Sequence, residues 1–366
     1  MDLKTKKILH ILLIVLIAVI VILAITLGIV FGTRKKDKDK NEEEEVDIMD
    51  SYDNTEELIK KFPVEYSTKV LPGLEARIQN RLLTGFENWN RGFKAWKAWG
   101  NILYTSDSIY NVHGARLSLS HYQQSMDITL KQAKIMMGAF HNMLICDNYT
   151  AIFYDIETYF GETPKKGNVM EFVQFTDYGE KLGTRVVEGW GSTKDSSYDS
   201  MIKFQGEEER KVQTEQNDYI LNYQIPETDN LIEKYPIKYK TNFIDENAND
   251  ILNIVLEGFD SWNQGIEKYL EWVDKGYDQN ATSSGLNQVK RDIETFKSEM
   301  RTLVQNENIK KLYFDNLLIR DNWAGLHYRF TSENLTTKEK TFGDRMQFLK
   351  FEQKDEGLKI VSSWIK

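Results

Sequence analysis

Side chains that could exchange protons with a substrate gather in one stretch of the chain. Three of the five histidines, His113, His121 and His141, lie there, close in sequence to Asp107 and Tyr110. Histidine titrates near neutral pH, and a tyrosine hydroxyl can donate a hydrogen bond to negative charge that develops on an oxygen. A His–Asp pair with a Tyr donor could therefore abstract a proton next to a carbonyl group and stabilise the enolate without a cofactor.

Each of these residues also has an ordinary structural interpretation. Asp107 follows Thr-Ser and His113 precedes Gly, so both fit turn positions. His121 could be an exposed helix residue, and His141 a strand residue with its hydrogen bonds satisfied. Asp147 lies in an Asp-Asn pair that returns in the second half of the chain. That recurrence favours a structural turn in both halves over a catalytic role in one.

The elements that must position these residues occur twice in the chain. The stretch GFENWNRGFKAWKAW (Gly85 to Trp99) returns as GFDSWNQGIEKYLEW (Gly258 to Trp272). Further on, HNMLICDN returns as DNLLIRDN, and MEFVQF with a closing Trp190 returns as MQFLKF with a closing Trp364. One domain is thus repeated.

The second copy does not keep the ionisable residues of the first. Aligned by the repeated motifs, Asp107 corresponds to Asn280, His113 to Leu286, and His141 to Asp315. We therefore expect any chemistry in the first repeat, with the second repeat as a scaffold.

The pattern of apolar residues predicts helices first and strands afterwards. Apolar positions at steps of three or four from Ile78 to Trp96 indicate a helix, which Gly92 divides in two. A short strand with Tyr110 and a third helix with Tyr122 and Met126 follow, and then four strand-like runs. This order is typical of an α+β fold with helices on one side of a sheet.

Several of these motifs together resemble the SnoaL-like and nuclear-transport-factor-2-like superfamily. They are the GFxxWN-x-G helix, the Tyr-x-x-x-Met third helix, the Asp-Asn strand start, the Met-x-Phe-x-x-Phe strand and the final Gly-x-x-x-x-x-x-Trp pattern. The resemblance covers both repeats, from about Tyr52 to Gly191 and from Gln224 to Lys366. It implies two tandem cone-shaped α+β barrel domains, each a bent antiparallel sheet around helices with an apolar pocket open at one end.

The resemblance also implies where function would lie. Enzymes of this superfamily place one or two ionisable groups in the apolar pocket, where burial shifts their pKa values toward neutrality. On that basis Asp107, Tyr110 and His141 are the predicted catalytic residues. The predicted ligand contacts are Trp99, His121, Tyr122, Met126, Asp147 and Trp190. Members often pair sheet to sheet, so the repeats are expected to form an internal pseudo-dimer.

An apolar run near the N-terminus predicts a membrane anchor. Ile8 to Phe31 is long enough to cross a bilayer as a helix, and a long cleaved signal peptide is the alternative. The predicted organisation is a basic N-terminus (1–7), a transmembrane helix (8–32), a charged linker (33–51), repeat 1 (52–192), a linker (193–223) and repeat 2 (224–366). Lysines flank both ends of the run, and the basic cluster before it favours export of the domains.

Composition excludes several classes of function. The net charge is -9 and no basic patch interleaves with aromatic residues, which argues against a nucleic-acid partner. Cys146 is the single cysteine, so an internal disulfide framework is excluded. No CxxC, HExxH or His-Cys cluster occurs, so neither a metal site nor a cofactor is predicted.

These observations lead to one main expectation and two alternatives. The main expectation is a membrane-anchored tandem SnoaL-like protein that binds a small apolar or amphipathic ligand in the repeat 1 pocket. The first alternative is a cofactor-independent cyclase, isomerase or dehydratase with a His/Asp acid–base pair in that pocket. The second is a structural or protein-interaction module at a membrane.

Overall fold

The computed structural model of the protein describes residues 54–64, 70–112, 115–159, 163–179, 183–192, 202–285 and 289–366. The predicted basic N-terminus, transmembrane helix and charged linker lie outside the described residues, as does His113. Among the helices in the described ranges, none combines the length and the apolar character that a membrane crossing requires.

In the part of the first repeat that the structure describes, there are four helices and six strands. Its elements in chain order are α1 (Thr55–Lys61), α2 (Gly73–Asn90), α3 (Phe93–Leu103), β1 (Tyr104–Val112), β2 (Ala115–Ser118), α4 (Leu119–Gln132), β3 (Lys134–Cys146), β4 (Tyr149–Tyr159), β5 (Pro164–Asp177) and β6 (Thr184–Ser192). The predicted division at Gly92 is confirmed, because Gly92 has a φ of 113° and separates α2 from α3. The predicted third helix and four strands correspond to α4 and β3 to β6.

The second repeat has the same order of elements, with one additional short strand, Ile237–Tyr239, after its first helix. After a connecting helix, α5 (Glu207–Leu221), it contains α6 (Leu231–Lys234), β7 (Ile237–Tyr239), α7 (Ala248–Gln264), α8 (Ile266–Gly276), β8 (Tyr277–Ser284), β9 (Lys290–Asp292), α9 (Ile293–Val304), β10 (Glu307–Arg320), β11 (Trp323–Asn334), β12 (Lys340–Lys354) and β13 (Gly357–Ile365).

Both sheets are mixed, whereas the expectation was an antiparallel sheet. The strand orders are β2-β1-β6-β5-β4-β3 and β7-β10-β11-β12-β13-β8-β9. β1 pairs in parallel with β6, and β8 pairs in parallel with β13, while the long strands form antiparallel meanders. Parallel pairing is possible here because a helix and four strands separate β1 from β6, which leaves ample chain for the crossover. The α+β class is confirmed and the strand direction is corrected.

The repeated GFxxWN motif holds the helices against the sheet in both copies. The Trp89 and Trp262 indoles donate hydrogen bonds to the backbone carbonyls of Ile135 (2.8 Å) and Ile309 (2.9 Å). The glycine that opens the motif leaves room for the tryptophan that closes it. A Cβ on Gly85 would lie 2.5 Å from the Trp99 ring, and one on Gly258 would lie 2.5 Å from the Trp272 ring. The motif therefore encodes packing, which explains its presence in both repeats.

Each sheet has one face toward its own helices and one face toward the other repeat. Alternate side chains point to opposite faces of a strand. In β5, Val169 and Val173 belong to the helix-facing core of repeat 1, while Met170 and Phe172 belong to a second core shared with repeat 2. Phe172, for example, lies 6.4 Å from Phe348 of β12 between ring centroids. The two sheets thus pack face to face.

Candidate functional site

A carboxyl group surrounded by tyrosines lies on the helix-facing side of the first sheet. Glu171 of β5 accepts a hydrogen bond of 2.6 Å from the Tyr110 hydroxyl of β1. Tyr154 of β4 also donates to this carboxylate. Glu171 shares the face of Val169 and Val173 because it lies between them on the strand, two residues from each. Three strands thus bring one carboxyl and two hydroxyls together; we call Tyr110, Tyr154 and Glu171 the carboxyl–tyrosine cluster.

Burial shifts the titration of every member of this cluster. It raises the pKa of the Glu171 carboxyl above its ordinary value, although the hydrogen bonds from Tyr110 and Tyr154 oppose that change. Burial, and then the negative charge of Glu171, raise the pKa of Tyr110 and of Tyr154 well above the ordinary value. At neutral pH both hydroxyls therefore keep their protons and act as donors. The half-buried carboxyl is a proton acceptor of increased basicity.

Aromatic rings from the helices form the wall beside the cluster. Tyr122 of α4 stacks on Tyr110 with ring centroids 4.4 Å apart, and Trp96 of α3 meets Tyr122 edge-on at 5.7 Å. Met126, one turn along α4, and Trp99 are also buried in this core. Of the residues predicted from the sequence, Tyr110, Trp99, Tyr122 and Met126 therefore lie in the core of the first repeat.

Asp107 and His141 do not join this cluster. Asp107 is exposed and lies where the pairing of β1 with β6 is irregular, between Tyr104 and Ile109. His141 follows Phe140, which faces the helices, so the histidine points to the opposite side of β3. There its Nε2 atom lies 2.7 Å from Asp155 and its ring 4.5 Å from that of Phe153. The predicted catalytic set of Asp107, Tyr110 and His141 is not assembled, because strand alternation separates it.

The other predicted ligand contacts also lie outside the cluster. His121 faces α5, with its Nδ1 atom 2.8 Å from Glu209. Asp147 has a φ of 53° in the β3–β4 turn and accepts a 2.8 Å hydrogen bond from the backbone of Asn242, as suits a turn residue. Trp190 is buried between the two sheets, 5.9 Å from His327.

The sequence interpretation missed Glu171, although a signal was present. MEFVQF has a charged residue at a position that faces the helices, and MQFLKF has the neutral Gln347 there. A carboxyl that interrupts an apolar strand face in only one of two repeats is a better candidate than residues selected for their proximity in sequence. To identify it, one must know which side chains of β5 point toward the helices, and the motif alone does not give that.

A second concave region lies between the repeats, and five of the six charged side chains that line it are paired with one another. This cleft has a volume of about 570 Å³, and its lining includes Arg116, Glu188, Asp315, Arg329 and Asp344. Arg116 lies 3.2 Å from Glu188, and Arg329 contacts Asp315 and lies 3.7 Å from Asp344. Although burial opposes it, Arg329 holds the pKa of Asp344 well below its ordinary value. We interpret this network as structural, since each charge has its partner within the chain.

No cluster of three or more His, Cys, Asp or Glu side chains suitable for a metal ion occurs within the ranges that the structure describes. Cys146 is buried there, its thiol 3.6 Å from the carbonyl oxygen of Ile319, and burial raises the pKa of this thiol to about 12. The candidate site therefore consists of oxygen acids and aromatic rings.

Comparison with known proteins gives a likeness in fold. No family model matches the chain, and no curated protein matches it. An NTF2-like protein from Anabaena variabilis ATCC 29413 is 14% identical, with 34% of this chain and 94% of that chain covered and a TM-score of 0.29. A ketosteroid isomerase-like protein from Erwinia carotovora atroseptica SCRI1043 is 10% identical, with 33% and 96% covered and a TM-score of 0.28.

A SnoaL-like polyketide cyclase candidate from Jannaschia sp. CCS1 is 12% identical, with 34% of this chain and 90% of that chain covered and a TM-score of 0.27. At these identities the matches concern fold and carry no information on activity. Over about a third of its length, the chain is similar in fold to NTF2-like and SnoaL-like proteins.

Proposed function

We propose that the first repeat binds a small amphipathic ligand on the helix-facing side of its sheet, with the polar group of the ligand at the carboxyl–tyrosine cluster. The observation that carries this proposal is the half-buried Glu171 carboxyl with donors from Tyr110 and Tyr154. A polar group inside an apolar wall fixes the orientation of a ligand, while the surrounding rings bury its apolar body. The ligand class that fits has an apolar ring system and a hydroxyl or carbonyl group.

A second candidate function is cofactor-independent proton transfer of the isomerase, cyclase or dehydratase type. The raised pKa of Glu171 favours it, because a carboxylate of increased basicity can remove a proton next to a carbonyl group. Tyr110 and Tyr154 would donate hydrogen bonds to the enolate oxygen. Glu171 would then have the role that the sequence interpretation gave to Asp107 and His141.

Three further parts of the proposal concern the whole chain. Residues 8–32 would anchor it in a membrane, with the repeats on the extracytoplasmic side. Retention of the full chain in membranes after a carbonate wash, and digestion of the repeats by protease added to intact cells, would support both statements. The face-to-face packing of the two sheets supports an internal pseudo-dimer. A structural or protein-interaction role at the membrane is the alternative if the cluster binds no ligand.

Substitution of Glu171 by glutamine is the central test of the proposed site. With 2-naphthol as a fluorescent probe and the full-length protein, we expect Glu171→Gln to weaken binding ~10-fold or more, since a hydrogen bond to a charged group contributes ~1.5–3 kcal/mol. Tyr110→Phe, which keeps the ring and removes the donor, should weaken it less. Glu157→Gln is the matched control, because it makes the same change on β4 outside the cluster. Equal affinity for 2-naphthol in the wild-type protein and all three variants would overturn the proposed site.

Proton transfer has its own readout. In D₂O, 2-tetralone should exchange the hydrogens next to its carbonyl faster with the wild-type protein than with Glu171→Gln. Absence of any acceleration by the wild-type protein, together with loss of 2-naphthol binding in Glu171→Gln, would leave ligand binding as the function of the site and eliminate the enzymatic alternative.

The substitution Glu171→Gln should weaken ligand binding without lowering the stability of the fold. The folded pKa of Glu171 lies above its unfolded value, so ionised Glu171 costs stability as pH rises from about 4 through the folded pKa. Glutamine, which occupies the corresponding position 347, does not ionise. Chemical unfolding at pH 7 should therefore find Glu171→Gln at least as stable as the wild-type protein, so that any loss of binding is not loss of fold.

A further inference from the structure

The helix-facing side of the second sheet holds a lysine inside a cage of aromatic rings. The Lys311 ammonium of β10 lies 4.7 Å from the ring centroid of Phe259, 5.0 Å from that of Trp262, 5.3 Å from that of Tyr269 and 5.6 Å from that of Tyr328. These rings come from α7, α8 and β11. The strand itself is fixed by Asn263, which exchanges two hydrogen bonds with the Lys311 backbone (2.7 and 2.9 Å).

Within the described part of the chain, the Lys311 ammonium has no carboxylate and no hydrogen-bond acceptor. Burial alone lowers the pKa of this amine to about 7. The electron-rich ring faces oppose that change, because they attract a cation. An ammonium group can donate three hydrogen bonds. Here its surroundings are rings, so it lacks both an acceptor and a counter-charge.

A second cation shares this side of the sheet. The Arg345 guanidinium of β12 lies 4.6 Å from the centroid of Phe330, and Phe330 is the cross-strand neighbour of Lys311. Arg345 in turn pairs with Tyr328, a ring of the cage. One nitrogen of Arg345 donates to the backbone carbonyl of Asp344 at 3.1 Å. Two positive groups therefore flank the same two aromatic residues of β11.

The first repeat has the opposite charge at the corresponding positions. Its counterparts of Lys311 and Arg345 are the apolar Met137 and Val169, while its counterpart of Gln347 is the acidic Glu171. At these three positions the first sheet presents one carboxyl and no cation, and the second presents two cations and no carboxyl. The helix-facing sides of the two repeats thus carry opposite charge at these three positions.

We propose that the helix-facing side of the second repeat binds a small organic carboxylate with an apolar body, its carboxylate paired with Lys311. Such a ligand supplies the missing counter-charge to a desolvated cation and accepts its hydrogen bonds, which is the condition under which a buried charge is favourable. Arg345 lies on the same face and provides a second positive group. The rings of the cage cover the apolar body of the ligand, whereas inorganic phosphate would gain no such burial.

The competing interpretation is that the four rings alone satisfy Lys311 as a structural cation. The two interpretations differ in one measurable respect. A structural lysine predicts no difference between an acid and its neutral amide, whereas a carboxylate site predicts that the acid binds more tightly and that this preference depends on the Lys311 charge.

The experiment compares 4-(trifluoromethyl)phenylacetate with its neutral amide by ¹⁹F NMR titration of the full chain in detergent micelles. Partition into the micelles is the same for every variant and is measured on empty micelles. We expect the wild-type protein to bind the acid ~10-fold more tightly than the amide, as for one charge-assisted hydrogen bond. Lys311→Met, which introduces the residue of the first repeat, should lose that preference. Lys311→Arg should keep part of it.

Two controls locate the effect. Lys310→Met removes the same charge from the adjacent residue, whose ammonium donates to the Asn263 backbone at 2.8 Å instead of entering the cage, and it should leave acid binding within twofold. Glu157→Gln should also leave it unchanged, because that residue lies in the first repeat and outside the carboxyl–tyrosine cluster. Acid affinity within twofold of wild type in Lys311→Met, or an equal loss in Lys310→Met or Glu157→Gln, would overturn the proposal. Lys311→Met removes a half-buried charge that has no counter-ion among the described residues, so its melting temperature should not fall.

Discussion

At the scale of single residues, the Tyr110 ring lies against two glycines of β6 whose counterparts in the second repeat are larger. A Cβ on Gly189 would lie 2.5 Å from two atoms of the Tyr110 ring, and one on Gly191 would lie 3.1 Å from its hydroxyl. The second repeat places Ser283 opposite Ser363 in the same register, with their hydroxyls 3.0 Å apart. The tyrosine of the carboxyl–tyrosine cluster therefore depends on the absence of side chains across from it.

The close contact between Tyr110 and Gly189 predicts that one substitution is strongly destabilising and that a second substitution restores part of the lost stability. Gly189→Ala should lower the free energy of unfolding by ~1–3 kcal/mol through overpacking against Tyr110. The double variant Tyr110→Ser/Gly189→Ser, which copies the second repeat, should be more stable than the sum of its single variants predicts. Urea unfolding followed by tryptophan fluorescence measures both. Gly167→Ala is the control, since its Cβ would make only an ordinary 3.4 Å contact with Ile156. Strict additivity would contradict the prediction.

At the scale of elements, the helix α5 attaches the segment between the repeats to the first one. Glu209 accepts a hydrogen bond from the backbone N–H of Gly206, the N-cap residue of α5. The same carboxylate accepts from the Ser118 backbone at the start of α4 and contacts His121. Although burial opposes it, these hydrogen bonds hold the pKa of Glu209 below its ordinary value. One side chain thus joins the N-termini of two helices.

Removal of this carboxylate should release α5 before the rest of the fold. Glu209→Ala deletes a helix cap, typically ~1 kcal/mol, together with the contact to α4. We expect faster cleavage between the repeats in limited proteolysis, with little change in the main unfolding transition. Glu208→Ala is the matched control because Glu208 is an exposed neighbour in the same first turn. Equal cleavage rates in the two variants would show that the cap does not hold the helix.

At the scale of the whole molecule, the two sheets approach each other through small residues at equivalent positions. Ala151 and Gly325 occupy the same place in the two repeats and face each other, and a Cβ on Gly325 would lie 2.8 Å from that of Ala151. Leu144 and Phe172 also lie within 4 Å of that point. The interface accommodates one methyl group there and not two.

An exchange of the two residues tests this packing. Gly325→Ala should cost ~1–3 kcal/mol, because the extra methyl must separate the sheets or displace Leu144. Ala151→Gly/Gly325→Ala restores a single methyl at the contact and should recover most of that loss. Guanidinium unfolding of the full chain gives both values, and Gly138→Ala on β3 serves as a control with a Cβ contact of 3.4 Å. An exchange variant no more stable than Gly325→Ala would refute the account.

The sequence by itself determined the repeat, the order of elements and the helical break at Gly92, because periodicity, glycine and recurring motifs are local properties. It also selected Tyr110 as a catalytic residue and Trp99, Tyr122 and Met126 as ligand contacts, and all four lie in the core of the first repeat. It could not bring Glu171 to Tyr110, which are 61 residues apart and meet through the pairing of β1, β6 and β5. Nor could it exclude His141, because the sheet face to which this side chain points depends on where the bulges of β3 fall.

Only the tertiary structure decided which side of each strand meets the helices and which meets the other repeat. A shift of one residue reverses that assignment. The bulges of β3 between Met137 and Asn142 interrupt the regular alternation of side chains, so the sequence does not show which residues face the helices. The same dependence concealed Lys311, which follows Lys310 in an unremarkable pair of lysines. Strand pairing and the packing of α7 and α8 turn one of them into a caged cation, and that placement is a property of the fold rather than of the local sequence.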